Sequence, residues 1–335
     1  MEFSIIIPVY NGEQVIEQCV ISILNQKFTD FELLIINDGS SDRTGEICEL
    51  YEKRDKRVKY LRQSNKGPSE ARNLGLNNAR GEYICFIDAD DYVEEYYLES
   101  INKNIKKYSP DIIFLGFVFE NQKTKEVLSK VSIESKLYKR DEFSALAKKL
   151  IDNDIFGYTW CKVIKKDILR NIYFDTNYSL HEDTLFICNV FEKAFSIVTC
   201  EDYLYHYIKS LDTLCTKYRD DIIENLEYVN KEIFNFYKRI NIDDIDTMVV
   251  QRAVFSMYLI IKNYAQKYSK QISLSKATLF MKGYTISEIL KRKKIYKQLN
   301  LGKKKWIFYI IIILRSEYLF KFLIKIIHFK NKWGT

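Results

Sequence analysis

Three carboxylates, Asp88, Asp90 and Asp91, stand within four residues at the end of the apolar run Tyr83-Ile84-Cys85-Phe86-Ile87. A short apolar run with aromatic and β-branched members predicts a buried strand. Acids crowded at its mouth repel one another, and folding has no use for that repulsion. A divalent cation removes it. Hard cations take oxygen ligands, commonly one or two carboxylates completed by substrate phosphates. The competing account is an acidic turn that caps the next helix, where Asp is favoured. The stretch by itself leaves both open.

Three earlier segments repeat the layout. Phe3 to Val9 ends at Tyr10-Asn11-Gly12, Phe31 to Ile36 ends at Asn37-Asp38-Gly39-Ser40-Ser41-Asp42, and Val58 to Leu61 ends at Arg62-Gln63-Ser64-Asn65. Between them Val15, Cys19 and Ile23, then Ile47, Leu50 and Tyr51, then residues 69–79, have helical spacing. Strands alternating with helices predict parallel βαβ units with right-handed crossovers. In open α/β sheets the ligand lies beyond the carboxyl ends of the strands. Asn11, Asp38, Asn65 and the 88–91 acids all fall at such ends, which strengthens the ligand-site reading of the acids.

A dinucleotide-binding domain needs a Gly-x-Gly-x-x-Gly turn after its first strand. The turn Pro8-Val9-Tyr10-Asn11-Gly12-Glu13 carries one glycine, and no Gly-x-x-x-x-Gly-Lys-Ser/Thr loop is present. A nucleotide must be held another way.

Five segments taken together resemble the family-two inverting glycosyltransferases with the GT-A fold. They are Ile5-Ile6-Ile7-Pro8-Val9-Tyr10-Asn11, the 37–42 turn, Gly67-Pro68-Ser69-Glu70-Ala71-Arg72-Asn73-Leu74-Gly75, Ile87-Asp88-Ala89-Asp90-Asp91 and His181-Glu182-Asp183-Thr184. The resemblance implies a GT-A nucleotide-diphospho-sugar transferase fold, a Rossmann-like and mostly parallel sheet flanked by helices. It covers residues 1–215, with a nucleotide-binding half at 1–110 and an acceptor half at 111–215.

By the same resemblance Pro8, Tyr10 and Asn11 wrap the base of a UDP-sugar, and Asp38 accepts a hydrogen bond from the uracil ring. Asp42 is then the better placed cap for the helix that follows. Arg72 reaches the base or the diphosphate; otherwise it is a solvated helix residue. Asp88 contacts the ribose, with Ala89 beside it in the nucleotide site. Asp90 holds the Mn2+ or Mg2+ ion between the phosphates, two cations that oxygen ligands do not distinguish. Asp91 is either a supporting acid or a helix cap.

Asp183 is the general base that the resemblance implies, taking a proton from the acceptor hydroxyl while the anomeric configuration inverts. Glu182 and Asp183 also precede the apolar segment Leu185 to Phe191, and acids are favourable at a helix N-terminus. His181 departs from the family, where glycine is common. Glu182, Trp160 and His206 are assigned to the acceptor side. Trp160 lies in a Trp-x-Lys element with Lys162, offering either an aromatic platform or a core tryptophan. His206 offers either a ligand or a hydrogen-bonded core histidine.

The seven cysteines are scattered without a Cys-x-x-Cys pair, which predicts reduced thiols and not a disulfide framework. The chain opens directly on a strand with Glu2, which predicts no signal peptide. Residues 291–335 hold 13 Lys or Arg and one acid, so against the chain total of +7 the rest carries a net −5. Two lysine-rich clusters precede nine apolar residues, Trp306 to Leu314. That run is short of the roughly 20 residues a membrane span needs. It fits a basic amphipathic helix lying on a lipid surface, with packing on the protein's own core as the alternative. The aliphatic richness argues against nucleic acid.

Residues 216–300 are expected to be helical, from Ile222, Leu226 and Val229 and from Val250, Val254, Met257 and Ile261, and 301–335 to be the membrane-associating tail. The functional expectation is a cytoplasmic enzyme at the inner membrane face. It moves a sugar from a UDP-sugar to a lipid-linked saccharide in capsule or cell-surface polysaccharide assembly, with a second copy of itself as a further partner. Transfer to polyprenyl phosphate and a silent sugar-nucleotide-binding protein are the alternatives.

Overall fold

A computed structural model of the chain describes residues 1–178, 180–209, 218–266 and 282–291, with residues 319 and 322. The first three apolar runs become strands β1 (Phe3–Val9), β2 (Phe31–Asp38) and β3 (Val58–Gln63). The run before the acids becomes β4 (Tyr83–Phe86). All four lie parallel in the order β3-β2-β1-β4, with Phe3 opposite Phe31 and Tyr83, and Leu33 opposite Val58. Every residue of β2 is buried. Strands covered on both faces carry continuous apolar runs instead of alternation.

The intervening helices are α1 (Ile16–Leu24), α2 (Thr44–Arg54) and α3 (Pro68–Asn78). In α2 the buried residues are Thr44, Cys48 and Tyr51, while Leu50 is 42% exposed. The helical spacing of Leu50 did not make it core. Pro68 opens α3, a position where its fixed φ and missing N–H cost nothing.

Two buried polar residues interrupt the apolar β1–β2 pair, and they satisfy each other. Ser4 Oγ donates to Glu32 Oε1 at 2.6 Å, and the backbone N–H of Arg80 donates to the same oxygen at 2.6 Å. This seals the end of the sheet opposite the strand-end acids.

The second half of the sheet is mixed. It contains β5 (Tyr92–Val93), β6 (Ile112–Asn121), β7 (Val127–Val131), β8 (Lys136–Lys139), β9 (Lys162–Lys165) and β10 (Ser196–Lys209). The sheet runs β3-β2-β1-β4-β9-β6-β10-β5, with β7 on β6 and β8 on β10. Antiparallel β9 joins β4 to β6, and β10 returns parallel to β6 with register shifts between Cys200 and Tyr205. Helices α4 (Tyr97–Tyr108), α5 (Phe143–Asp152) and α6 (Glu182–Lys193) complete this part.

The chain divides into two compact units, Met1–Leu211 and Asp212–Thr335. In the second, α7 (Ile222–Arg239) and α8 (Ile245–Gln266) bury the residues whose spacing predicts helices, and α9 (Tyr284–Lys291) packs with them. Asn230 Nδ2 donates to Ser256 Oγ at 2.9 Å and to Thr285 Oγ1 at 3.1 Å, joining all three. Among the described residues no helix is long and apolar enough to cross a membrane. The predicted 301–335 tail lies outside the described residues apart from 319 and 322.

Candidate active site

The strand-end loops of the parallel half are laced to one another. Asn11, at φ 49°, accepts a hydrogen bond from the Ser41 N–H at 2.9 Å and donates its own N–H to Ser40 Oγ at 2.9 Å. Asn37 accepts from the Ser40 N–H at 2.8 Å. Asp42 accepts from the Thr44 N–H at 3.1 Å at the start of α2. Burial works against the Asp42 carboxylate, but hydrogen bonds from Thr44 and Glu13 outweigh it and hold its pKa below the ordinary value.

Asp38 is 4% exposed and organises the loop after β3. Its carboxylate accepts from Gln63 Nε2, from the Lys66 N–H and from the Gly67 N–H, each at 2.8 Å. Gly39 lies beside it at φ +74°, and a Cβ there would come within 2.6 Å of the Asn65 nitrogen. Only glycine allows this crossing. Tyr10 stands 52% exposed at the mouth of β1, with Pro8 half-buried behind it.

Arg72, on α3, is the centre of the site. Its side chain is 7% exposed, so it is no solvated helix residue. Nη2 lies 3.2 Å from Asp88 Oδ1, and Nη1 lies 3.1 Å from Asp183 Oδ1 and 3.5 Å from Glu182 Oε1. One buried guanidinium thus joins the acids after β4 to the acids that open α6. Burial opposes its charge, but Asp183, Asp88 and Glu182 more than compensate and raise its pKa. The Asp183 contact is an ion pair without hydrogen-bond alignment, since Oδ1 is buried with no aligned donor.

The three acids of the 88–91 turn have different surroundings. Burial raises Asp88 to about 6; Arg72 pulls it down while Asp90 and Asp183 push it up. Asp90 is exposed, and among the described residues no other side chain pairs with it. Burial nearby also raises its pKa. Asp91 is 1% exposed and serves as a strut, accepting from Tyr205 Oη at 2.6 Å and from the Ile208 N–H at 2.8 Å. Ala89, half-buried, sits between them.

The excess negative charge at Asp88 and the open carboxylate of Asp90 fit a divalent cation that takes its remaining ligands from phosphates. Among the described residues no group of three or more His, Cys, Asp or Glu is arranged to hold a metal alone.

His181 precedes α6 at φ 60°, the left-handed conformation that glycine adopts without cost. The glycine that the resemblance leads one to expect here would take this conformation without strain. Glu182 and Asp183 then occupy the first turn of α6, where the helix dipole favours acids. Thr159 Oγ1 donates to Asp183 Oδ2 at 3.1 Å, a contact that sequence reading missed because nothing distinguishes this threonine from any loop threonine.

Trp160 and His206 are not brought to these acids. Trp160 is 2% exposed, stacked between Tyr158 at 4.9 Å and Tyr205 at 4.6 Å, so it is a core tryptophan here. Neighbouring strand residues face opposite ways, so His206 takes the face of β10 opposite to Tyr205, beside Tyr92. It stacks on Tyr92 at 4.3 Å, with Nδ1 2.6 Å from Glu120 and Nε2 2.8 Å from Glu94. It is buried and hydrogen-bonded on both ring nitrogens. It borders a cavity of about 450 Å3 also lined by Tyr96, Lys130 and Tyr203.

A parallel sheet half with acids at its strand ends, joined to a mixed half that delivers a further acid pair, agrees with the architecture expected of a glycosyltransferase. The chain belongs to glycosyl transferase family 2, whose model matches residues 4–173. It is 31% identical over 237 residues to the uncharacterized glycosyltransferase EpsJ of Bacillus subtilis (strain 168), covering 70% of this chain and 69% of EpsJ. It is 32% identical over 219 residues to glycosyltransferase GlyA of Streptococcus pneumoniae serotype 4, covering 62% of this chain and 30% of GlyA. The crystal structure of S. aureus TarS 1-349 in complex with UDP-GlcNAc superposes with a TM-score of 0.67 at 19% identity, covering 100% of this chain and 93% of TarS 1-349. At that identity the likeness is one of fold, and it agrees with the expected GT-A architecture.

Proposed function

We propose that this chain moves a sugar from a UDP-sugar, with inversion, to a hydroxyl of a lipid-linked saccharide in bacterial cell-surface or capsular polysaccharide assembly. The observation that carries the reading is the joining of Asp88 and Asp183 through Arg72, which puts a phosphate-side acid and a base candidate in one site. The UDP-GlcNAc complex of TarS, which shares the fold, supports the donor class.

In this reading the exposed ring of Tyr10 stacks on uracil, and Asp38 and its ring of donors shape the cradle below it. Asp88 faces the ribose. Asp88 and Asp90 would hold a Mn2+ or Mg2+ ion, which when bound supplies positive charge against the leaving diphosphate. Arg72 and Thr159 fix the Asp183 carboxylate from two sides. Asp183 removes the proton of the attacking hydroxyl, work that contributes about 10²–10⁴-fold to a rate. The 301–335 tail holds the protein against the anionic inner face of the cell membrane, where a lipid-linked acceptor is found.

The test is release of nucleotide from a panel of UDP-, GDP- and dTDP-sugars, with and without Mn2+. The expected result is slow Mn2+-dependent release of UDP from one UDP-sugar. Release from a GDP- or dTDP-sugar alone would replace the donor. No release, together with no calorimetric binding of UDP in Mn2+, would remove the reading.

A further inference from the structure

We infer that Lys162 and Thr159 are positioning residues for the proposed base, with Lys162 fixing the 155–159 loop so that Thr159 holds the Asp183 carboxylate. The inference rests on the reading of Asp183 given above.

Lys162 opens β9 and is 0% exposed. Among the described residues no carboxylate is in contact with it. A buried charge without a paired charge is expensive, so its other contacts must explain its presence. An ammonium has three donors. Nζ donates to the Ile155 carbonyl at 2.8 Å and to the Tyr158 carbonyl, and lies 3.2 Å from Cys161 Sγ. All three donors are therefore spent on one loop. The Phe114 ring lies under the same ammonium at 4.7 Å. Burial lowers the Lys162 pKa, with Cys161 and Asp183 opposing that shift.

The two carbonyls bracket Gly157, and the loop passes hard against the first turn of α6. A Cβ at Gly157 would lie 2.7 Å from Thr184 Oγ1. The next loop residue but one, Thr159, is 0% exposed and aims its hydroxyl at Asp183 Oδ2, 3.1 Å away. The other oxygen, Oδ1, is 3.1 Å from Arg72. The carboxylate is thus held at one oxygen by a hydrogen bond and at the other by an ion pair. The ammonium therefore acts at a distance: it pins two carbonyls, the carbonyls place Thr159, and Thr159 orients the carboxylate.

The experiment compares Thr159→Val, Thr159→Ser and Lys162→Met with wild type. It follows UDP release from the UDP-sugar that wild type hydrolyses, in saturating Mn2+. Valine keeps the shape of threonine and removes the hydroxyl; serine keeps the hydroxyl. Thr159→Val is expected to lower kcat about tenfold, the worth of one hydrogen bond to a charged group. The donor KM should be unchanged, and Thr159→Ser should recover most of the loss. Lys162→Met should lower kcat in the same way with the donor KM unchanged.

A Thr159→Val enzyme with wild-type kcat, or one whose KM rises instead, overturns the inference. So does a Lys162→Met enzyme that folds and keeps wild-type kcat. If Lys162→Met does not fold, the two Thr159 variants decide. An Asp183→Asn enzyme with wild-type turnover would instead remove the base reading itself, a distinct outcome.

Discussion

Arg72 ties the proposed base to the strand-end acids: its Nη1 lies 3.1 Å from Asp183 Oδ1. The same guanidinium meets Asp88 and Glu182, so a single buried cation is shared among three carboxylates and leaves the cluster net negative. Removing one partner of a buried ion pair leaves uncompensated charge and costs about 3–5 kcal/mol. Arg72→Ala should therefore lower the unfolding free energy by about that amount in urea denaturation, and abolish nucleotide release. Arg72→Lys should recover part of the stability and little activity, because an ammonium cannot fork between acids as a guanidinium does. Stability unchanged in Arg72→Ala would mean the carboxylates find another counter-charge.

Glu32 offers a pH-dependent test of the far end of the same sheet. It is 1% exposed, and burial alone would raise its pKa. Hydrogen bonds from Ser4 and Arg80 outweigh burial, and the net shift is downward. A carboxylate with a depressed folded pKa adds stability above its unfolded value and loses it as pH falls through the folded one. Wild type should thus lose stability more steeply than Glu32→Gln as pH drops below about 4.5, near the ordinary glutamate value. Thermal melts across that range would show the difference, and parallel pH curves would remove Glu32 as the source.

Asp90 is the acid of its turn that other side chains leave open. Asp90→Asn should remove the Mn2+-dependent part of UDP affinity, leaving the affinity measured with a chelator present. Its stability without metal should change by less than about 0.5 kcal/mol, the usual range for an exposed substitution. Calorimetry with and without Mn2+ separates these effects. Unchanged Mn2+-dependent affinity would take Asp90 out of the site.

Much of this site was legible in the chain because parallel strands buried on both faces leave long apolar runs, and their ends carry the polar residues. Asn11, Asp38 and the 88–91 acids could be placed by that rule alone. The mixed half was less legible. Tyr205 meets Asp91 across 114 residues, and neither type nor spacing announces such a pairing. The same holds for Thr159 and Asp183. Trp160 and His206 were drawn toward the acceptor by residue type, but type does not fix which face of a strand or loop a side chain takes. Both side chains are buried.

The basic tail is tested apart from the catalytic unit. Each Lys or Arg near an anionic surface contributes about 1 kcal/mol, so deleting residues 303–335, which remove several at once, should release the protein from anionic vesicles. Neutral vesicles should retain neither form strongly. Continued sedimentation of the truncated protein with anionic vesicles would place the lipid contact elsewhere.

Asp183→Asn asks whether the acid held by Arg72 and Thr159 is a base or a strut. Asparagine keeps the shape and can still accept a hydrogen bond from Thr159, but it cannot take a proton. As a base, Asp183 is worth about 10²–10⁴-fold, so turnover should fall at least a hundredfold while Mn2+-dependent UDP affinity stays at the wild-type level. A strut predicts a different pattern. The Arg72 charge would lose one of its three partners, the Asp88 side of the site would shift with it, and UDP affinity and turnover would fall together. The ratio of the two losses, measured by calorimetry and by UDP release on the same preparation, therefore distinguishes the roles. A phosphate acceptor, already ionised, would need no base at all, and its transfer would survive the substitution.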